Sequence, residues 1–122
     1  MDRGSHGFVS DRAGLWVSGG VLPDRSGVVP GANLGEKGAV FEAVHGSAPD
    51  IAGRNLANPL ALIQTGVMML RYLEMHDEAA RIDGALLRVL SDPSQRTKDL
   101  GGAATTTQFT EAIVKQIENP PA

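Results

Sequence analysis

The sequence contains no cysteine, so disulfide staples and thiolate chemistry are both excluded. It has no excess of positive charge either: eleven Lys and Arg stand against fourteen Asp and Glu, a net charge of -3. A broad basic surface is therefore not on offer, and no nucleic-acid partner is expected. No apolar run reaches the roughly 20 residues of a membrane span, so no membrane role is expected. The opening MDRGSHGFVSDR lacks the apolar stretch of a secretory leader, and none is expected there. No G-x-G-x-x-G occurs, which removes the Rossmann phosphate turn. Internal repeats and low-complexity tracts are missing as well.

What is present is ordinary globular composition: 122 residues, 42% hydrophobic and 20% charged, enough for one modest domain. Glycine is uneven, with nine of fifteen in residues 1–38. The piece GGVLPDRSGVVPGANLGEKG reads as loop, and FVSDRAGLWV as one short helix weakened by Gly14. AVFEAV (39–44) reads as a strand, since Val40, Phe41 and Val44 suit a pleated surface. From Asn58 the pattern turns helical, with Asn58 as cap, Pro59 in the first position, and Leu60, Ile63, Val67 and Leu70 on one face. A second helix starts near Asp77, buries Ile82, Leu86, Val89 and Leu90, and stops at Pro93. A third runs over about residues 108–117, with Thr105 and Gln108 as a capping box and Phe109, Ile113 and Ile117 facing inward. One strand cannot satisfy its own backbone. GLWVS and SGVVP are the further strand candidates, so the chain is expected to be the end of an α/β domain whose other strands lie elsewhere.

Between strand and helix stands EAVHGSAPDIAGRNLANP, residues 42–59. It is long, polar and without an apolar run, and loops of this kind between regular elements are often functional. Taken singly its residues are bland: His45 as a bonded loop histidine, Asp50 as a turn residue, Asn58 as a helix cap.

Together they are specific. GANLGEKGAVFEAVHGSAPDIAGRNLANPLALIQTGVMMLRYL closely resembles the C-terminal third of the β-decarboxylating dehydrogenases, a family that acts on isocitrate, 3-isopropylmalate, homoisocitrate and tartrate. The resemblance continues through HDEAARIDGALLRVLSD and TKDLGGAATTTQFTEAIV, and covers about residues 8–117. FEAVHG and the ending TKDLGG…TTTQFTEAI look most like the NAD-dependent isocitrate dehydrogenase branch. The resemblance implies a partial isocitrate/isopropylmalate dehydrogenase-like α/β fold, the C-terminal part of the large domain, mainly helices with few strands. Residues 1–30 are expected as an irregular Gly-rich remnant of the metal-site region, 31–117 as cofactor-binding domain, and 118–122 as tail.

By the same resemblance the loop wraps the adenosine half of NAD. The backbone of His45, Gly46, Ser47 and Ala48 approaches the cofactor, and Glu42 lines the same pocket. Asp50 falls where NAD users place a carboxylate on the adenosine ribose, Ile51 follows it, and Asn58 matches the residue at the adenine edge. A carboxylate accepts hydrogen bonds from two vicinal hydroxyls and repels a 2′-phosphate, so Asp50 is expected to select NAD over NADP.

The metal site departs from the family. Relatives carry GD-x-x-SD, whose two Asp side chains bind Mg²⁺ or Mn²⁺ with the substrate. HGFVSD keeps Asp11 but has Gly7 in the first place, and a hard cation needs several oxygens. Extra residues around VLPDRS also separate this segment from PGAN. The family's substrate arginines and its proton-moving Tyr and Lys have no counterpart here. The expectation is an NAD-binding C-terminal portion, inactive alone. It meets an isocitrate-like 2-hydroxy acid only when another chain completes it, works as a homo- or hetero-oligomer, and resides in cytoplasm or mitochondrial matrix. A piece of an isopropylmalate, homoisocitrate or tartrate enzyme, and a non-catalytic regulatory or interaction module, are the alternatives.

Overall fold

The computed structural model describes residues 29–44 and 48–122. Their order is β1 (Val29–Leu34), β2 (Ala39–Val44), α1 (Leu60–Tyr72), α2 (His76–Ser91) and α3 (Thr106–Glu118), with 3-10 turns at Pro93–Gln95 and Lys98–Leu100. The expected helix FVSDRAGLWV and the strand candidate GLWVS lie outside the described residues.

β1 and β2 form an antiparallel hairpin, Val29 opposite Val44 and Leu34 opposite Ala39, closed by the Gly35 N–H on the Gly38 carbonyl at 2.8 Å. β2 is the strand expected from Val40, Phe41 and Val44. β1 corrects the reading of PGANLGEKG as loop; it includes Val29 and Pro30 of the candidate SGVVP, whose other residues lie outside the described ones. Pro30 and Gly31 hid it, because both weaken an isolated strand. Proline is tolerated on an edge strand, and in a two-stranded hairpin both strands are edges. Gly31 fits for a steric reason: a Cβ there would stand 3.1 Å from the Glu42 carbonyl oxygen.

α1 lies on this hairpin. The Thr65 hydroxyl donates to the Ala61 carbonyl at 2.7 Å and sits 3.4 Å from the Glu42 carbonyl on β2. The Phe41 and Tyr72 rings meet at 5.5 Å, tilted. The buried face is Ala61, Thr65, Val67 and Met68, and this corrects the expected stripe, of which only Val67 is fully buried. Helical spacing assumes one partner, whereas α1 has two. Leu60 and Ile63 turn instead toward the helical core.

That core is Ala85, Leu86 and Val89 of α2 against Phe109 and Ile113 of α3, ringed by Leu60, Ile63, Leu90, Ala112 and Ile117. Around it Arg88 Nε donates to Gln116 Oε1 at 2.8 Å, and Arg71 pairs with Asp83 across α1 and α2. α2 ends ahead of Pro93, as expected. Asp92 then caps the following turn, accepting from the Ser94 hydroxyl and N–H and from Gln95. The Ser94 bonds hold its carboxyl below the usual range. The third helix carries the expected box: Thr105 Oγ1 accepts the Gln108 N–H, and Gln108 Oε1 accepts the Thr105 N–H. Among the described residues no helix is long and apolar enough to cross a membrane.

The exit of α1 supports a stability prediction. The Met75 N–H reaches the Leu70 carbonyl at 2.8 Å and the Glu74 N–H the Arg71 carbonyl at 3.0 Å. This is the Schellman arrangement, which places Glu74 in the left-handed region at φ 61°. Glycine is the residue free of Cβ strain there. Glu74→Gly is therefore expected to stabilise the chain by up to about 1 kcal/mol, read as a higher urea midpoint with unchanged slope.

Candidate functional site

Residues 48–58 leave the hairpin in two successive tight turns. The Ile51 N–H bonds the Ala48 carbonyl at 3.1 Å, and the Arg54 N–H bonds the Ile51 carbonyl at 3.1 Å. Pro49 occupies the second place of the first turn, which its fixed φ favours. Gly53 occupies the third place of the second turn at φ 73°, where a type II turn needs a positive φ. The Arg54 guanidinium closes back on the Asp50 carbonyl at 3.3 Å. The result exposes Ala48 and Asp50 and half-buries Ile51. Among the described residues the Asp50 carboxylate has no hydrogen-bond or ion-pair partner.

The loop is fastened at its far end. Asn58 Oδ1 accepts the Leu60 N–H at 2.9 Å and starts α1, while Asn58 Nδ2 donates to Asp99 Oδ2 at 2.8 Å. Asp99 Oδ1 in turn accepts from the hydroxyl of Thr97, which is fully buried, at 2.6 Å. An amide has two N–H donors and two oxygen lone pairs. Asn58 thus keeps one of each for a ligand after these two bonds. Asn55, at φ 56°, accepts from Thr106 and Thr107 at the start of α3.

The family description "Isocitrate/isopropylmalate dehydrogenase" matches residues 9–113. The chain belongs to this family. It is 56% identical over 92 residues to mitochondrial NAD isocitrate dehydrogenase catalytic subunit 5 of Arabidopsis thaliana, covering 75% of this chain and 25% of that one. It is 49% identical over 94 residues to the human mitochondrial NAD isocitrate dehydrogenase subunit alpha, covering 76% of this chain and 26% of that one. Among solved structures, isocitrate dehydrogenase from Methylococcus capsulatus matches with a TM-score of 0.68 at 45% identity, over 74% of this chain and 27% of that one. The chain thus spans about a quarter of the length of these relatives. Its fold is a partial isocitrate/isopropylmalate dehydrogenase fold, mainly helical with one small sheet among the described residues.

Of the residues singled out from sequence, Ala48, Asp50, Ile51 and Asn58 share this one loop. Glu42 is exposed on β2, where its Oε1 lies 3.4 Å from Asn33 Nδ2. His45, Gly46 and Ser47 lie outside the described residues, and so does Asp11. Among the described residues no three His, Asp or Glu side chains gather to hold a metal ion. Mg²⁺ and Mn²⁺ need several oxygens at once, and the segment expected to supply them lies outside the described residues. Asn55, Asp99, Thr106 and Thr107 were not marked in the sequence. Their only local signal is polarity in turn-rich stretches.

Proposed function

We propose that this chain is the adenosine-binding portion of an NAD-dependent isocitrate dehydrogenase. The observation that carries the reading is Asp50, exposed on a loop of two successive turns that Asn58 fastens to α1 and to Asp99. The names of the isocitrate dehydrogenase relatives support it. In this reading Asp50 accepts hydrogen bonds from the two ribose hydroxyls, and Gly46 and Ala48 keep bulk away from the backbone they approach. Asn58 turns its remaining N–H or lone pair to the adenine edge, while Glu42, His45, Ser47 and Ile51 line the pocket. NAD, when bound, supplies the hydride acceptor. None of these residues moves a proton. Oxidation and decarboxylation of isocitrate to 2-oxoglutarate need acid, base, substrate clamp and a complete Mg²⁺ or Mn²⁺ site, with Asp11 as one ligand. An oligomer with chains that carry these groups, in the mitochondrial matrix or cytoplasm, goes with the same reading.

Cofactor choice tests it. A 2′-phosphate beside Asp50 sets two anions together in a partly desolvated groove. At an effective dielectric near 20, like charges about 4 Å apart cost roughly 4 kcal/mol. A quarter of that after screening still shifts preference about fivefold. Residues 42–59 grafted into a full-length relative are expected to favour NAD by at least about this factor. Asp50→Lys in the same graft is expected to raise NADP use. Equal use of both cofactors with Asp50 present, or no gain from lysine, refutes the assignment.

A further inference from the structure

The N-terminus of α3 is capped from two directions. A helix leaves its first N–H groups without intrahelical acceptors. Here Thr105, the residue before α3, serves Gln108 through its own hydroxyl at 3.1 Å. The two amides ahead of Gln108 are served from half the chain away. The Thr106 N–H donates to the Asn55 carbonyl at 2.9 Å, and the Thr107 N–H donates to Asn55 Oδ1 at 3.1 Å. The Thr107 hydroxyl donates to the same Oδ1 at 3.0 Å, and the Thr106 hydroxyl to the Ala57 carbonyl. One side chain therefore completes the cap of α3 and closes the loop that carries Asp50.

Asn55 is suited to this by its backbone as well. Its φ of 56° lies in the left-handed region, which costs most residues strain and which Asn and Asp enter most readily after glycine. That conformation directs both its carbonyl and its side-chain oxygen toward α3. The oxygens meet the positive end of the helix dipole, where partial negative charge is favoured.

We infer that Asn55 is a positioning residue for cofactor binding: it locks the two-turn loop 48–58 onto the start of α3, so that Asp50 is presented in one conformation. The inference rests on the proposal that this loop takes the adenosine of NAD. Asn58 and Asp99 fasten the loop's last residue, and they leave its turns free. Asn55 adjoins the second turn, whose closing residue is Arg54. Loss of its side-chain bonds releases the turns while the helical core, on the far side of Thr105, is untouched. Preorganisation of this kind improves binding by removing the cost of ordering the loop around a ligand.

Two substitutions separate positioning from folding. Asn55→Gly keeps the left-handed backbone free of strain and the carbonyl that takes the Thr106 N–H, and removes only the side-chain acceptor of Thr107. Asn55→Asp keeps the acceptor and tolerates the same φ. Amide hydrogen exchange on the 122-residue chain reads the loop without any ligand. In Asn55→Gly the Ile51 and Arg54 amides are expected to exchange about fivefold to tenfold faster, the effect of one or two lost hydrogen bonds. The Leu86 and Ile113 amides keep their protection. Asn55→Asp is expected to restore the loop amides to within about twofold of the parent chain. In an NAD titration of the three proteins, Asn55→Gly raises Kd about fivefold and Asn55→Asp returns it to within about twofold. Unchanged exchange at Ile51 and Arg54 in Asn55→Gly overturns the clasp, as does failure of Asn55→Asp to restore it. Faster loop exchange with an unchanged Kd for NAD overturns the positioning role. A parent chain that binds no NAD overturns the adenosine reading instead, and the exchange rates still decide the clasp.

Discussion

Gly102→Ala is expected to lower the stability of this chain by about 3 kcal/mol or more, a large share of the roughly 5–15 kcal/mol that holds an ordinary domain together. A Cβ on Gly102 would fall 2.0 Å from the Arg96 carbonyl oxygen and 2.6 Å from its carbon. Both are backbone atoms, which cannot swing aside as a side-chain tip does. The Arg96 carbonyl is also occupied: it accepts the Ala104 N–H at 2.9 Å, while the Gly102 N–H bonds the Thr97 carbonyl at 3.0 Å. Making room means opening this knot. The knot buries Thr97, sets Asp99 under Asn58, and delivers Thr105 to cap α3. Gly101 is the internal control. It has φ 82° and nothing within 4 Å of a would-be Cβ. Gly101→Ala is expected to cost only left-handed strain, about 1 kcal/mol. Urea unfolding followed by circular dichroism separates the two. Equal losses at both glycines would show that backbone overlap is not what makes Gly102 necessary.

Phe109→Ala is the second large expected effect. Phe109 is fully buried, and it is the largest side chain in the cluster of Ala85, Leu86, Val89 and Ile113. Its loss removes the transfer energy of a phenyl ring and leaves a cavity between two helices, about 3–5 kcal/mol in all. Leu87→Ala, on the outer side of the same turn of α2 and 69% exposed, is expected to change stability by less than about 0.5 kcal/mol. A loss below about 1.5 kcal/mol for Phe109→Ala would mean that α2 and α3 repack freely, contrary to close packing of this core. Because α3 also receives Asn55, the same substitution is expected to loosen the loop that carries Asp50.

The two effects lie at different depths of legibility. Phe109 could be named from sequence, because Phe109, Ile113 and Ile117 repeat at helical spacing behind a capping box whose partners are three residues apart. Gly102 could be seen only as one of two glycines in a turn. Nothing in its neighbours separates it from Gly101, and the atom it must avoid is six residues away across a closed turn.

The same division runs through the whole chain. Sequence alone determined the three helices, the stop at Pro93, the strand 39–44 and the loop rich in Asn, Asp and Gly before α1. Each of these rests on groups within about one helical turn or one strand pleat of each other, where spacing in the chain is spacing in space. Tertiary structure alone decided the remainder. Pro30 and Gly31 become strand only because β2 lies beside them. α1 buries Ala61, Thr65 and Met68 as well as Val67 because it meets both the hairpin and α2. Asn58 reaches Asp99 and Asn55 reaches Thr107 across 41 and 52 residues. A hydrogen bond depends on where the chain returns, and the return is set by the packing of the whole core.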